Sequence, residues 1–275
     1  MVVMVTGASG FIGRNVLAEL SQRQVDVVAL TREASHLNNA PRSVRVVEMD
    51  LASSGPDSFV RLGSPDVLIH LAWGGLPNYC SRHHFETELP KHYFFLKSLV
   101  ESGLSSLLVA GTCFEYGMQS GALSEQVRPC PNNPYGHAKD TLRQQLEFLI
   151  SAQPCNFIWA RIFYLYGEGQ PGSSLYAQLE GAALRGDTVF NMSGGEQLRD
   201  YLPVTDVASI LVDMALKKQD IGVVNVCSGR PQSVRSLVEQ WIKVNNWNIQ
   251  LNLGHYPYPD YEPMAFWGER RKRDN

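Results

Sequence analysis

The stretch Gly7-Ala8-Ser9-Gly10-Phe11-Ile12-Gly13 follows directly on the apolar run Val2–Val5 and leads straight into a segment of helical period, Phe11–Leu20. A strand, three glycines in the spacing G-x-x-G-x-x-G and a helix constrain the fold more than any other feature of the chain. Glycines allow the backbone to turn tightly and approach a pyrophosphate, while the free N–H groups and positive end of a new helix attract the anion. A plain strand-to-helix turn needs one glycine, so the motif marks a dinucleotide site, with Gly7, Ser9, Gly10, Phe11, Ile12 and Gly13 as candidate contacts.

The rest of the chain fits this start. Short apolar runs at Val2–Val5, Val25–Leu30, Val44–Glu48, Val67–Leu71, Leu107–Ala110 and Phe157–Ala160 alternate with helical patterns such as His92–Glu101 and Thr141–Ile150. Such alternation predicts βαβ units, hence an α/β fold with a doubly wound parallel sheet of Rossmann type and ligands beyond the carboxyl ends of its strands. Near Gly167 the rhythm loosens into Leu175–Leu184, the polar NMSGGEQ, Val204–Leu216, Val223–Val226 and Val234–Val244. Residues 1–166 are therefore expected to form the dinucleotide domain and 167–275 a smaller substrate lobe, with exchange of chain between the two left open.

Lys and Arg number 24 against 27 Asp and Glu, a formal charge of -3. No broad positive field invites nucleic acid or an anionic membrane. The five cysteines are odd in number and contain no C-x-x-C pair, which argues against a disulfide framework or zinc site and for the cytoplasm. No apolar run is long enough to span a bilayer, and no signal peptide is evident. The basic end Arg270–Asn275 reads as solvated. The adjacent His83 and His84 cannot face one metal from a helix, so no metal site is expected.

In NAD enzymes an acid at the end of the second strand holds the ribose 2′-hydroxyl, and an arginine there accepts a 2′-phosphate instead. Here that strand ends in Thr31-Arg32, which favours NADP(H), while Glu33 keeps NAD(H) possible. Asp50, with Leu51 beside it, either meets the adenine or caps the following helix. In NPYGHAKD, Tyr135 and Lys139 stand four residues apart on one face of a helix. A neighbouring ammonium favours phenolate and so suits a tyrosine that works as an acid.

Together these residues resemble the extended short-chain dehydrogenase/reductase family, in its nucleotide-sugar epimerase/dehydratase/reductase branch, from the N-terminus to about Val207. The resemblance implies that Thr112, four residues before Tyr116-Gly117, is the hydroxyl that holds the substrate oxygen beside Tyr135. It implies that Leu71 and Ala72 of HLAW line the cofactor, with Trp73 next to the sugar and His70 in the core. In GGEQLRDYLPVTDVA it implies that Arg199 contacts the diphosphate and that Asp200 holds structure. Tyr164 stands where family members carry Asn, next to the substrate. Sugar 4,6-dehydratases of this branch carry Asp-Glu after the threonine; this chain carries Cys113-Phe114, which argues against elimination, and Cys113 reads as a small buried residue beside the substrate.

The expectation is an NADP(H)-dependent 4-ketoreductase of a nucleotide-activated 4-keto-6-deoxyhexose. A 4-epimerase with retained NAD is the second reading, and a dinucleotide-sensing regulator without turnover the third. By resemblance, the protein is a homodimer through helices such as His92–Glu101 and Thr141–Ile150.

Overall fold

A computed structural model describes residues 1–270, so of the basic end only Arg270 lies among the described residues. Seven parallel strands form one sheet in the order Gly222–Val226, Asn156–Ile162, Ser106–Thr112, Val67–His70, Val2–Thr6, Asp26–Thr31, Val44–Glu48. Val3 pairs with Val27 on one side and Val67 on the other, so the first strand is central. From it the chain winds outward to Val44–Glu48, then returns to the other side at Val67–His70. That reversal puts the switch point at the carboxyl ends of Val2–Thr6 and Val67–His70, beyond which the general rule for open α/β sheets puts the ligand.

Both faces of the sheet are covered, which is why its strands are apolar throughout rather than alternating. Val3 and Val5 face the helices Phe11–Leu20 and Val204–Lys217 with Leu17, Leu20, Leu211 and Val212. Met4 and Leu68 face the opposite layer, where the helices Leu89–Glu101 and Pro134–Ile150 supply Phe95, Leu99, Leu142 and Leu146. These two helices start earlier than their apolar period suggests, because Pro90 and Pro134 occupy first-turn positions that tolerate a missing N–H.

A separate core joins the helices Leu175–Arg185 and Val234–Val244 to the short parallel pair Val189–Asn191 and Gln250–Asn252, around Leu179, Phe190, Leu237 and Trp241. The chain crosses between the two bodies repeatedly. Helix Val204–Lys217 and strand Gly222–Val226, both beyond Gly167, belong to the large sheet: Val223 pairs with Trp159 and Val224 with Ala160. The apolar VVNV run prolongs an existing parallel edge, which buries more surface than an isolated strand in the lobe would. Phe266–Gly268 then pairs with Gly121–Leu123 and brings the C-terminal segment back over the cleft.

Among the described residues all five cysteines are free thiols, no cluster of His, Cys, Asp and Glu is arranged to hold a metal, and no helix is long and apolar enough to cross a membrane.

Candidate active site

The glycine loop is shaped for close approach. Gly7 has φ +65°, and a Cβ there would meet the Ala72 amide nitrogen at 2.7 Å. At Gly13 a Cβ would lie 2.2 Å from the Gly7 carbonyl oxygen. Helix Phe11–Leu20 can therefore begin flush against the loop, and its N-cap, Gly10, makes no side-chain hydrogen bond. The first-turn N–H groups remain free for an anion. Ser9 Oγ lies 3.3 Å from Thr31 Oγ1 at the tip of the second strand. Arg32 projects into solvent there, while the Glu33 carboxylate is engaged by His36 Nε2 at 2.8 Å. Asp50 accepts the Ala52 amide at 2.8 Å, capping a short helical turn, and Leu51 is buried beneath it.

A cleft of about 830 Å³ runs from Gly7, Phe11 and Ile12 past Leu71 and Trp73 to Thr112, Tyr135 and Lys139. Its shape and the free helix end fit a dinucleotide. Ala72 is met at its backbone by Gly7 and lies in the wall behind the loop.

Tyr135 and Lys139 sit on the first turns of Pro134–Ile150, whose N-cap Asn133 accepts the Gly136 amide at 2.9 Å. Burial pushes the Tyr135 phenol well above its ordinary range, with Tyr79 adding to the rise and Thr112 opposing it through a hydrogen bond. Burial pushes the Lys139 ammonium down to about 7, against the pull of Glu115 and Glu88. Lys139 Nζ donates to the Ala110 carbonyl at 2.9 Å and lies 4.0 Å from the centroid of the Trp73 ring. The phenol that Lys139 was expected to hold down is thus raised, because removal from water outweighs the Thr112 hydrogen bond.

Thr112 ends the fifth strand, and its Oγ1 accepts the Phe114 amide at 3.2 Å, so its own hydrogen is left to point at the Tyr135 oxygen in the cleft. Glu115 explains the turn that follows. It accepts the Thr112 amide at 2.8 Å, the Trp159 indole N–H at 2.9 Å and Arg161 Nε at 2.6 Å. This fully buried acid anchors the strand end that presents Thr112; the T-x-x-E spacing of a capping box was the signal for it. Cys113 packs with Tyr116, Phe163, Cys227 and Phe266 at the cleft wall, and burial pushes its thiol up.

The second wall differs from expectation. Arg199 is 2% exposed, and its Nη1 donates to the carbonyls of Leu198 (2.9 Å) and Met264 (3.2 Å). Its Nη2 donates to Glu262 Oε2 at 3.0 Å, and its guanidinium lies over Phe266 at 4.6 Å. Arg199 borders a second cavity of about 330 Å³, which shares Tyr164, Tyr201, Tyr261 and Glu262 with the main cleft. Glu262, a residue with no local sequence signal, thus holds this guanidinium. Asp200 accepts the Ser228 and Gly229 amides at 2.7 and 2.8 Å, and His70 is fully buried.

Residues 3–227 match the model of the NAD dependent epimerase/dehydratase family. The chain belongs to this family. It is 31% identical over 273 residues to dTDP-6-deoxy-L-talose 4-dehydrogenase (NAD(+)) of Aggregatibacter actinomycetemcomitans, covering 98% of this chain and all of that protein. It is 26% identical to dTDP-6-deoxy-L-talose 4-dehydrogenase (NAD(P)(+)) of Kitasatospora kifunensis, over 94% of this chain and 83% of that one. Among solved structures, MoeE5 in complex with UDP-glucose and NAD superposes with TM-score 0.82 at 27% identity, over 99% of this chain and 90% of the other. The protein is an NAD(P)-dependent enzyme of the extended short-chain dehydrogenase/reductase type, and these relatives and this neighbour are named for nucleotide sugars.

Proposed function

We propose that the protein is an NADP(H)-dependent 4-ketoreductase of a nucleotide-activated 4-keto-6-deoxyhexose. The observation that carries this reading is the convergence of Thr112, Tyr135 and Lys139 on one cleft that begins at the glycine loop. Gly10, Phe11, Ile12 and Gly13 would hold the pyrophosphate, Leu71 the nicotinamide end, and Arg32 the 2′-phosphate; no acid at the strand end competes with it, since Glu33 is paired to His36. When bound, the cofactor supplies the hydride. Tyr135 gives its phenolic proton to the C4 oxygen, Thr112 donates a hydrogen bond to the same oxygen, and the Lys139 ammonium stabilises the phenolate left behind. A phenol whose pKa is raised by burial holds its proton until the oxygen becomes basic.

Glu262 is the only carboxylate lining the cleft among the described residues, whereas Cys113 and Phe114 occupy the positions of the dehydratase acid pair. Tyr79, Phe114, Tyr164 and Tyr201 offer aromatic rather than charged surface to a deoxygenated C6. Two relatives named as 6-deoxytalose 4-dehydrogenases agree with chemistry at C4 of such a sugar. Arg199 would grip the diphosphate after release from Glu262. Residues 1–166 hold the cofactor, and 167–275, with its returns to the sheet, the substrate. Exposed Phe94 and Phe148, on the helices Leu89–Glu101 and Pro134–Ile150, suit a homodimer across those helices, and five free thiols suit a reducing cytoplasm.

The test incubates the purified protein with NADPH, or separately NADH, and a panel of nucleotide 4-keto-6-deoxy sugars while following reduced-nicotinamide absorbance. Stoichiometric loss of NADPH with one sugar is expected. Interconversion of ordinary nucleotide hexoses without net cofactor loss would instead identify an epimerase, and cofactor binding without turnover a sensor.

A further inference from the structure

Behind the cleft lies a chain of buried polar groups that the proposed chemistry does not use. Glu88, 2% exposed, closes a single π-helical turn, His84–Glu88, immediately before helix Leu89–Glu101. Its Oε2 accepts the Gly74 amide at 2.7 Å and His92 Nε2 at 3.1 Å, and its Oε1 accepts Lys91 Nζ at 2.5 Å and His83 Nε2 at 3.0 Å. The His92–Glu88 bond fixes the direction of the rest. With Nε2 donating to a carboxylate, the neutral His92 ring presents Nδ1 as an acceptor, so His70 Nε2–H must donate across their 2.8 Å contact. His70 Nδ1 then accepts from the Thr6 hydroxyl, also at 2.8 Å. Burial pushes His92 down to about 4 and His70 well below its ordinary value, so both rings are neutral.

Trp73 is where this array meets the cleft. Its indole stacks on His92 with centroids 4.7 Å apart and planes 15° apart, and its Nε1–H donates to His84 Nδ1 at 3.1 Å. His84, itself fully buried, is thereby left with Nε2–H to donate to the Asn78 carbonyl at 2.8 Å. The next residue, Gly74, is tied to Glu88 by its amide. The indole is thus fixed at its edge, through its ring and through the backbone that follows. Over that ring, 4.0 Å from the centroid, lies the Lys139 ammonium. Burying four polar side chains to hold an aromatic ring is costly unless the orientation of the ring matters, because apolar packing would fill the same volume without desolvating a carboxylate.

We infer that Trp73 is a positioning residue that seats the Lys139 ammonium, and that Glu88 fixes this seat through His92 and the Gly74 amide. The inference rests on the reading of Lys139 as catalytic. Among the described residues no carboxylate is within hydrogen-bond reach of Lys139, so the ring face stabilises its charge without pinning the side chain in a salt bridge. The charged or titratable groups around Lys139 are Glu115 below the strand end, Glu88 and Lys91 on the neighbouring helix, His70 and His92 between them, and Tyr135 on its own helix. The Ala110 carbonyl is its hydrogen-bond acceptor.

The test labels the full chain with 13Cε-lysine and follows the Lys139 signal, assigned with Lys139→Met, through a pH titration without added cofactor. Trp73→Leu should lower the midpoint by about one pH unit. Trp73→Phe, which keeps a ring face, should stay within about a third of that shift. In the proposed reaction, Trp73→Leu and Glu88→Gln should lower kcat by about tenfold to a hundredfold, with NADPH affinity by fluorescence within about threefold and Trp73→Phe restoring most of kcat. A Lys139 midpoint and a kcat both unmoved in Trp73→Leu would overturn the seat. Full activity in Lys139→Met would overturn the catalytic reading instead, and the lysine titration would still decide whether Trp73 seats the ammonium.

Discussion

At the glycine loop, helix Phe11–Leu20 begins without a side-chain cap, and beyond it Lys139 gives one bond among the described residues, to the Ala110 carbonyl, before meeting the Trp73 ring. Across the cleft Arg199 is spent on two carbonyls and on Glu262. One wall keeps binding groups in reserve for a ligand, and the other has satisfied its cation internally. The difference teaches that the first wall is preorganised, whereas at the second, where Arg199 is proposed to receive the diphosphate, binding would be an exchange in which a carboxylate leaves as a phosphate arrives. Affinity for cofactor should therefore depend little on rearrangement, and affinity for the nucleotide sugar strongly on Glu262.

The largest effect is expected on the preorganised wall. Tyr135→Phe removes the proton donor and keeps the ring that packs against Tyr79 at 5.6 Å and Trp73 at 6.1 Å. Turnover should fall by about 10³-fold, within the range for losing a general acid, while NADPH affinity by fluorescence titration changes by less than about threefold. Near-normal turnover would remove the proposed mechanism and, with it, the contrast between the walls.

How much of each wall was legible follows from sequence distance. The glycine loop, Thr112, Tyr135 and Lys139 belong to short motifs whose function depends on local geometry, so the strand, turn and helix that present them could be read from a few residues. The boundary near Gly167 was harder, because Val204–Lys217 and Gly222–Val226 return to a sheet whose other strands lie far back in the chain. Glu115 carried a local signal, the capping-box spacing, but its pairing with Arg161 joins adjacent strands 46 residues apart. Glu262 had none: it meets Arg199 from 63 residues away because Phe266–Gly268 pairs with Gly121–Leu123. Arg199 stood out in the sequence as a candidate cation, and its internal carboxylate did not.

The buried histidines offer a second test of the preorganised wall, through stability. His92 titrates at about 4 in the folded protein because burial disfavours its charge, against about 6.5 in an unfolded chain. Between these values the unfolded state holds a proton that the folded state does not, so stability falls as pH drops through this window. The loss attributable to His92 at pH 4 is on the order of 3 kcal/mol. His92→Asn should unfold in denaturant with a flatter dependence on pH between 6.5 and 4. Parallel curves for the two proteins would show that the ring carries no such penalty.

Glu262→Gln probes the exchanging wall directly. Glutamine keeps an acceptor for Arg199 but removes the charge that competes with phosphate, so KM for the nucleotide sugar should drop by about tenfold with kcat within twofold. A rise in KM would mean that Glu262 itself holds the substrate, and the second wall would then be as preorganised as the first.

The smallest effect concerns the rim of the first wall. Arg32 is exposed at the end of the second strand, so its attraction for a 2′-phosphate is screened by water and salt. Arg32→Ala should weaken NADPH by about tenfold at low ionic strength and by less at 0.5 M salt, leaving NADH unchanged. Equal weakening of both cofactors would place the guanidinium against a part they share, such as the pyrophosphate. No weakening of either would leave Glu33, once released from His36, to hold a ribose hydroxyl, and NAD(H) would become the working cofactor.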